Sequence, residues 1–438
     1  MAAIGFLTLT PIRAALTVTL LWLPVLTFGY QTAFVQANFP DLAETAETFV
    51  AIVNVAIVAA LMRPVWRRDV SRTAAFLGVA AAIFCVMTFP GIFAHVSVRG
   101  APERPTTEGA TDGPDIYFII LDGYGRADVL AEMYQHDNRP FLDALRSRGL
   151  VVADASYSNY AMTYLSLAAS LNMDYVDSDL AKDYGAIDRI IDNPSAIRRL
   201  QEHGYTYVHF ESETTGRAPL ADVSFSRGRF ESEFERVLFE TTLLGTIMPP
   251  RPRHEAVINA FEDLAAIPSD PAPTFTFAHL LVPHPPFMFA ADGGLIPYHD
   301  DLAAEFEREP YVNQLRFINS KVVELVDQLL MASPREPVII IQGDHGPAAF
   351  LTDTASREQI YWERHAILNA MLVPGDLRRD VYDSISPVNT FRLLLKGLFR
   401  DELDLLPDRA FYSWYFNGNH AAVEGDSLQL REITDELP

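Results

Sequence analysis

Three stretches near the N-terminus, residues 14 to 35, 49 to 62 and 73 to 95, are apolar and almost free of charge. The first and third approach the ~20 residues that a helix needs to cross a bilayer. The second is shorter, and spans if Thr45 to Thr48 and Met62 to Pro64 lie in the interfaces, a mismatch that local thinning absorbs. Residues 98 to 113 then run rich in Pro, Gly and Thr without a hydrophobic period, which reads as a tether. From residue 114 short unbroken apolar runs alternate with segments of helical period. The runs predict strands at 115–121, 150–155, 205–210, 274–281, 337–342, 366–373 and 410–415. Between them helices are expected near 126–134, 138–148, 163–171, 194–203, 253–266, 311–332 and 386–398. Asn138 as N-cap, Pro140 in the first turn and Gly149 as stop define the second of these. Unbroken apolar strands separated by helices imply an α/β domain over 114–438, a mostly parallel sheet covered by helices on both faces.

Charge sets the expected topology. Lys and Arg stay on the cytoplasmic side of a membrane. Arg13 precedes the first apolar stretch, and Arg63, Arg67, Arg68 and Arg72 separate the second from the third. The link between the first and second holds Asp41, Glu44 and Glu47 and no basic residue. Residues 1–97 therefore read as a three-span anchor with the N-terminus inside, which delivers the C-terminal domain to the outer face. A cleaved signal peptide is the alternative for the first stretch, but two more apolar runs follow it. Beyond residue 99 lie 28 basic and 53 acidic residues, a net of −25. So acidic a domain argues against a nucleic-acid partner, because phosphate backbones need basic surface. The single cysteine, Cys85, lies in the third apolar stretch, so neither an intrachain disulfide nor a thiolate metal site can form.

Candidate chemistry sits where predicted strands end. Asp122 closes the run Ile116 to Leu121, and Asp344 and His345 close Val338 to Ile341 within Gly343-Asp344-His345-Gly346. In open α/β sheets that edge is where ligands bind. Asp122-Gly123 alone is a common turn dipeptide. A carboxylate beside an imidazole between two glycines is a sharper signal and suits a first-row divalent cation. Thr163 opens a helical segment, with Ser166 one turn on and on the same face. A helix N-terminus offers free N–H groups and a positive dipole end, so an anion would be held beside that hydroxyl. An ordinary Thr N-cap is the bland alternative.

The three motifs, in this order and spacing, resemble the sulfatase-like branch of the alkaline phosphatase superfamily, which includes lipoteichoic acid synthases and phosphoethanolamine transferases anchored by N-terminal membrane helices. The resemblance runs from about residue 114 to 400. It implies one divalent cation, Zn or Mn before Mg or Ca, held by Asp122, Thr163, Asp344 and His345. It also implies that Thr163 is the nucleophile and that His284, in Pro283-His284-Pro285-Pro286-Phe287, contacts the substrate or leaving group, with Ser166 a further substrate contact. His279, inside a predicted strand, reads as a core histidine, while His365 and His420 could approach the site. The Cys/Ser-x-Pro/Ala-x-Arg motif that sulfatases convert to formylglycine is absent, and Asp122 stands where the transferases often carry Glu. The expected function is therefore phosphodiester head-group transfer on a lipid or glycan substrate, through a Thr nucleophile, by a multi-pass enzyme of a bacterial plasma membrane with an extracytoplasmic domain. A sulfate or phosphate monoester hydrolase on the same fold is the alternative, and a catalytically silent envelope-binding module the second.

Overall fold

Alternation within the apolar runs explains the architecture. In Ile116–Leu121 (β1), Ile116, Phe118 and Ile120 pack into one buried cluster while Tyr117, Ile119 and Leu121 pack into another, on the opposite face. A strand buried on both sides has no need of polar alternation, which is why it reads as continuous apolar sequence. In this computed structural model the described residues are 28, 31, 46–67, 113–212, 214–215, 218–225, 253–267, 273–296, 307–349, 355–412 and 430–438.

The chain divides into two compact units, one of Met1–Pro105 with Gly228–Arg251 and one of Thr106–Arg227 with Pro252–Pro438. Within the first, helix α1 (Ala46–Arg67) covers the second apolar stretch. Phe49, Ile52, Val55 and Ile57 on it are exposed, and Asn54 donates to Gln31 Oε1 at 2.6 Å. Among the described residues no helix is long and apolar enough to cross a membrane. Apart from Phe28 and Gln31, the first and third apolar stretches lie outside the described residues.

The second unit runs β1, α2 (Ala127–Tyr134), α3 (Arg139–Ser147), β2 (Val151–Val152), α4 (Thr163–Asn172), α5 (Ser178–Ala181), α6 (Tyr184–Asp192), α7 (Ser195–Glu202) and β3 (Thr206–Phe210). It continues through β4 (Val223–Phe225), α8 (Arg253–Ala265), β5 (Thr274–Leu280), α9 (Arg308–Ala332), β6 (Val338–Gly343), α10 (Arg357–His365), β7 (Asn369–Leu372) and α11 (Pro387–Phe399). An antiparallel pair, β8 (Phe411–Tyr412) and β9 (Arg431–Glu432), closes it. The sheet order is β2-β7-β6-β1-β5-β3-β4, parallel from β6 to β4, with β7 antiparallel to β6 and β2 antiparallel to β7. Helices α2, α3, α8 and α9 cover one face, and α7 and α11 the other. This is the mostly parallel, doubly covered sheet that the sequence implies.

Several elements differ from expectation. The run at 150–155 forms a strand only over Val151–Val152, and 366–373 only over Asn369–Leu372, with isolated bridges from Ala366 to Tyr157 and from Ile367 to Gly125. The long helix starts at Arg308 rather than 311. Helices α5, α6 and α10 and strand β4 have no counterpart in the expected series. Of 410–415, the described part forms β8.

Candidate metal centre

Register converts sequence-distant residues into neighbours. Leu121 of β1 lies beside Leu280 of β5 and Gly343 of β6, so the three central strands end level with one another. Asp122, Asp344 and the loop bearing His284 therefore emerge at the same carboxyl edge. Strand parity adds a residue that pattern alone missed. Ile120 pairs with His279, and Asp122 lies two residues beyond Ile120 on the same face, which brings His279 Nε2 to 3.3 Å from Asp122 Oδ2. The buried strand hid this histidine among core residues.

The glycines that flank Asp344-His345 are required by space. A Cβ on Gly343 would stand 2.6 Å from the Tyr124 carbonyl oxygen, and one on Gly346 would fall 1.8 Å from that of Glu363. The tight turn fixes the donors. Asp344 Oδ1 accepts the N–H groups of Gly123 at 3.0 Å and His345 at 2.8 Å, which turns Oδ2 inward. His345 Nδ1 lies 2.9 Å from the Gly346 carbonyl, and because a carbonyl only accepts, Nδ1 carries the proton and Nε2 is a bare lone pair. That lone pair faces Asp122 Oδ1 at 3.6 Å and Asp344 Oδ2 at 3.5 Å. Neither oxygen has a hydrogen-bond partner, nor does His279 Nε2, and all three residues are buried.

Acceptors aimed at one another in a dry space are costly unless a positive charge lies between them. Ligand atoms of Asp122, His279 and Asp344 all lie within 4.8 Å of one another. Mixed carboxylate and imidazole donors fit a divalent cation. Burial works to raise the Asp122 carboxyl, yet the imidazoles of His284, His279 and His345 hold it well below the usual carboxylate range. Burial, and then the Arg364 guanidinium, push the His345 imidazole down to about 4 against the pull of Asp344 and Asp122. A neutral imidazole is the form that donates to a metal.

Thr163 is the first residue of α4, whose N-cap is Met162, and no side chain caps this helix. Its hydroxyl is therefore not spent on capping, and it donates instead to His345 Nε2 at 3.1 Å. Ser166 follows Thr163 in α4. It is buried one turn deeper, its hydroxyl 3.3 Å from Ser158 Oγ, whose single proton lies within reach of the carbonyls of Tyr160 and Asp344. Ser166 thus packs among the loops beneath the site.

His284 lies over Gly123, its backbone N–H bonded to the Asp122 carbonyl at 3.0 Å and its ring centroid 6.2 Å from that of His345. Nδ1 is 2.6 Å from the Pro285 carbonyl and must donate to it, which leaves Nε2 as the working nitrogen. Arg364 was not singled out by the sequence. Its guanidinium donates to the Gly346 carbonyl at 2.7 Å and to that of Ala161, tying the loop of His345 to the loop of Thr163. His365 faces the carbonyls of Tyr361 and Phe411 and is part of the framework. His420 lies outside the described residues.

A mostly parallel sheet with a hydroxyl, two carboxylates and imidazoles gathered at its carboxyl edge defines an α/β protein whose buried cluster fits a divalent cation. The sequence matches the Sulfatase family over residues 114–373, and the chain belongs to that family, within the alkaline phosphatase superfamily. No curated protein matches it in sequence. Among solved structures it is similar to the C-terminal periplasmic domain of EcEptC from Escherichia coli, at 17% identity and a TM-score of 0.50 over 76% of this chain and 95% of that one. A complex of the same domain with Zn matches equally. The periplasmic domain of phosphoethanolamine transferase EptC from Campylobacter jejuni matches at 15% identity and a TM-score of 0.43, over 66% of this chain and 89% of that one. Lipoteichoic acid synthase LtaP from Listeria monocytogenes matches at 14% and 0.47, over 74% and 77%. These likenesses concern the fold.

Proposed function

We propose that the protein is a membrane-anchored, metal-dependent transferase that moves a phosphodiester head group, of phosphoglycerol or phosphoethanolamine type, from a lipid or glycan through Thr163. The observation that carries this reading is the Thr163 hydroxyl, uncapped at a helix N-terminus and 3.1 Å from His345 Nε2 beside the two inward carboxylates. Asp122, Thr163, Asp344 and His345 would hold the cation, with His279 adjoining, and Zn is favoured by the fold likeness to a domain solved with Zn. When bound, such a cation lowers the pKa of a hydroxyl and neutralises charge on non-bridging oxygens.

The chain supplies the rest. Thr163 Oγ, its proton lost to solvent, forms a bond to phosphorus as the bond to the leaving oxygen breaks, and the free N–H groups of the first turn of α4 face the phosphoryl oxygens. His284 Nε2 gives a proton to the leaving oxygen and takes one from the entering hydroxyl, which then displaces Thr163. An anchor of three spans, residues 1–97, joined by a linker at 98–113, would keep the 114–438 domain at the outer leaflet. The exposed apolar face of α1 and the Asn54 to Gln31 bond accord with a helix that packs in lipid.

The test is turnover by the full-length chain in detergent of bis(p-nitrophenyl) phosphate, p-nitrophenyl phosphate and p-nitrophenyl sulfate, with and without chelator, and with Zn or Mn added back. Diester turnover that needs the cation and is lost in Thr163→Ala is expected. Preference for the sulfate or the monoester would replace this reading by a hydrolase, and turnover indifferent to Thr163 would remove the nucleophile.

A further inference from the structure

A buried polar chain behind the metal centre has no part in the steps above. Ser212 Oγ lies 2.8 Å from His279 Nδ1 and 2.9 Å from Thr215 Oγ1, and it accepts the Thr215 N–H at 3.1 Å. His209, on β3, faces the Thr215 carbonyl with Nε2 at 2.7 Å and the Tyr207 hydroxyl with Nδ1 at 2.9 Å. Tyr207, His209, Ser212, Thr215 and His279 are all at most 4% exposed. Protons can be placed along this chain by elimination. The carbonyl only accepts, so His209 Nε2 carries hydrogen and Nδ1 accepts from Tyr207. His209 thereby pins the turn that carries Ser212 and Thr215, and that turn grips His279.

Ser212 has one proton and two lone pairs. The Thr215 N–H fills one lone pair. If the Ser212 proton goes to Thr215 Oγ1, the second lone pair accepts His279 Nδ1–H, and the one proton and both lone pairs of Ser212 are engaged. His279 Nε2 is then a bare donor, 3.3 Å from Asp122 Oδ2 and within the acceptor cluster. The reverse arrangement, with Ser212 donating to Nδ1, would put a proton on Nε2 and close it to a metal.

We propose that Ser212 is a positioning residue that holds the proton of His279 on Nδ1, so that Nε2 becomes a further nitrogen ligand of the cation. Partners behind a ligating imidazole orient the ring and raise its basicity, and losing one typically costs 10- to 100-fold in metal affinity. This rests on the metal reading above, and the test separates the two. Zn affinity of the full-length chain in detergent is measured by competition with a chromophoric chelator, for wild type, Ser212→Ala and Ser212→Thr. Loss of roughly 10- to 100-fold in Ser212→Ala, with recovery to within a few-fold in Ser212→Thr, is expected. Unchanged affinity in Ser212→Ala overturns the proposal, whereas a wild type that binds no Zn overturns the metal reading instead. Should Ser212→Ala not fold, long-range 1H–15N spectra of Zn-loaded wild type decide, with the His279 signal assigned by its loss in His279→Gln. A proton on Nδ1 supports the assignment, and one on Nε2 overturns it.

Discussion

The Thr163 hydroxyl stands 3.1 Å from His345 Nε2, although 182 residues separate them in sequence. One residue opens a helix and the other follows a strand, so their meeting depends on α4 and β6 being held in one frame. If Thr163 is the nucleophile, its oxygen is what matters. Thr163→Ala should lose turnover by a factor on the order of 10³ or more, while Thr163→Ser should keep it within roughly tenfold. Steady-state rates on a phosphodiester check this, and equal losses in the two variants would contradict it.

Arg364 is the brace of that frame. It is nearly buried, and its guanidinium bonds the carbonyls of Ala161 and Gly346, two residues before Thr163 and one after His345. Lys keeps the charge but not the planar fork. Arg364→Lys should leave one or two carbonyls unpaired, at a cost of about 2 to 4 kcal/mol, and lower kcat more than it raises KM. Denaturant melts and kinetics measured together test the pair of effects, and a variant of normal stability and kcat would remove the bracing role.

Glycine substitution separates crowding from backbone strain. At Gly346 an added Cβ would overlap the Glu363 carbonyl oxygen at 1.8 Å, whereas at Gly375, with φ of +56°, it meets nothing within 4 Å. Gly375→Ala should cost only about 1 to 2 kcal/mol of left-handed backbone strain. Gly346→Ala has no such outlet and should cost more than about 3 kcal/mol, with loss of metal binding because His345 is displaced. Thermal melts with and without Zn compare them, and equal costs would show that the turn yields.

The sheet was legible because its central strands are buried on both faces and so wrote themselves as unbroken apolar runs. Asp122, Asp344 and His345 were legible because polar residues at the ends of such runs stand out. His279 was not, since only the pairing of Ile120 with His279 reveals that it shares a face with Asp122. Helix α10 shows a different loss. Ser356 and Gln359 form a capping box, but the buried side chains behind it include Glu363, Arg364 and His365, which break the apolar period. Ser166 shares a helical face with Thr163, but its burial beside Ser158 comes from tertiary packing that helical spacing does not carry.

Metal removal should be visible without any substrate. A ligand that binds only the folded state stabilises it by RT ln(1 + [L]/Kd), about 2.7 kcal/mol at a hundredfold excess over Kd. Chelation should therefore lower Tm and restoring Zn should raise it. In Asp344→Asn, which loses one inward carboxylate charge, the increment should shrink markedly. A Tm indifferent to chelator in the wild type would argue against a bound cation.

Stability should also fall on mild acidification, for a reason located behind the metal centre. Burial pushes the His209 imidazole down to about 4 despite its bond to the Thr215 carbonyl, with His279 pushing the same way. In the unfolded chain the same group titrates near its usual ~6.5. Between those values the unfolded state binds more protons, so stability declines as pH falls from about 6.5 towards 4 and levels off below. At ~1.4 kcal/mol per unit the loss reaches about 3 kcal/mol at most from this group. His345 and His365, each pushed down to about 4 by burial, act in the same window and sense. His209→Gln is expected to be less stable at pH 8 but to show a shallower decline to pH 5 in urea midpoints. A slope equal to that of wild type would mean that His209 is not the group that titrates.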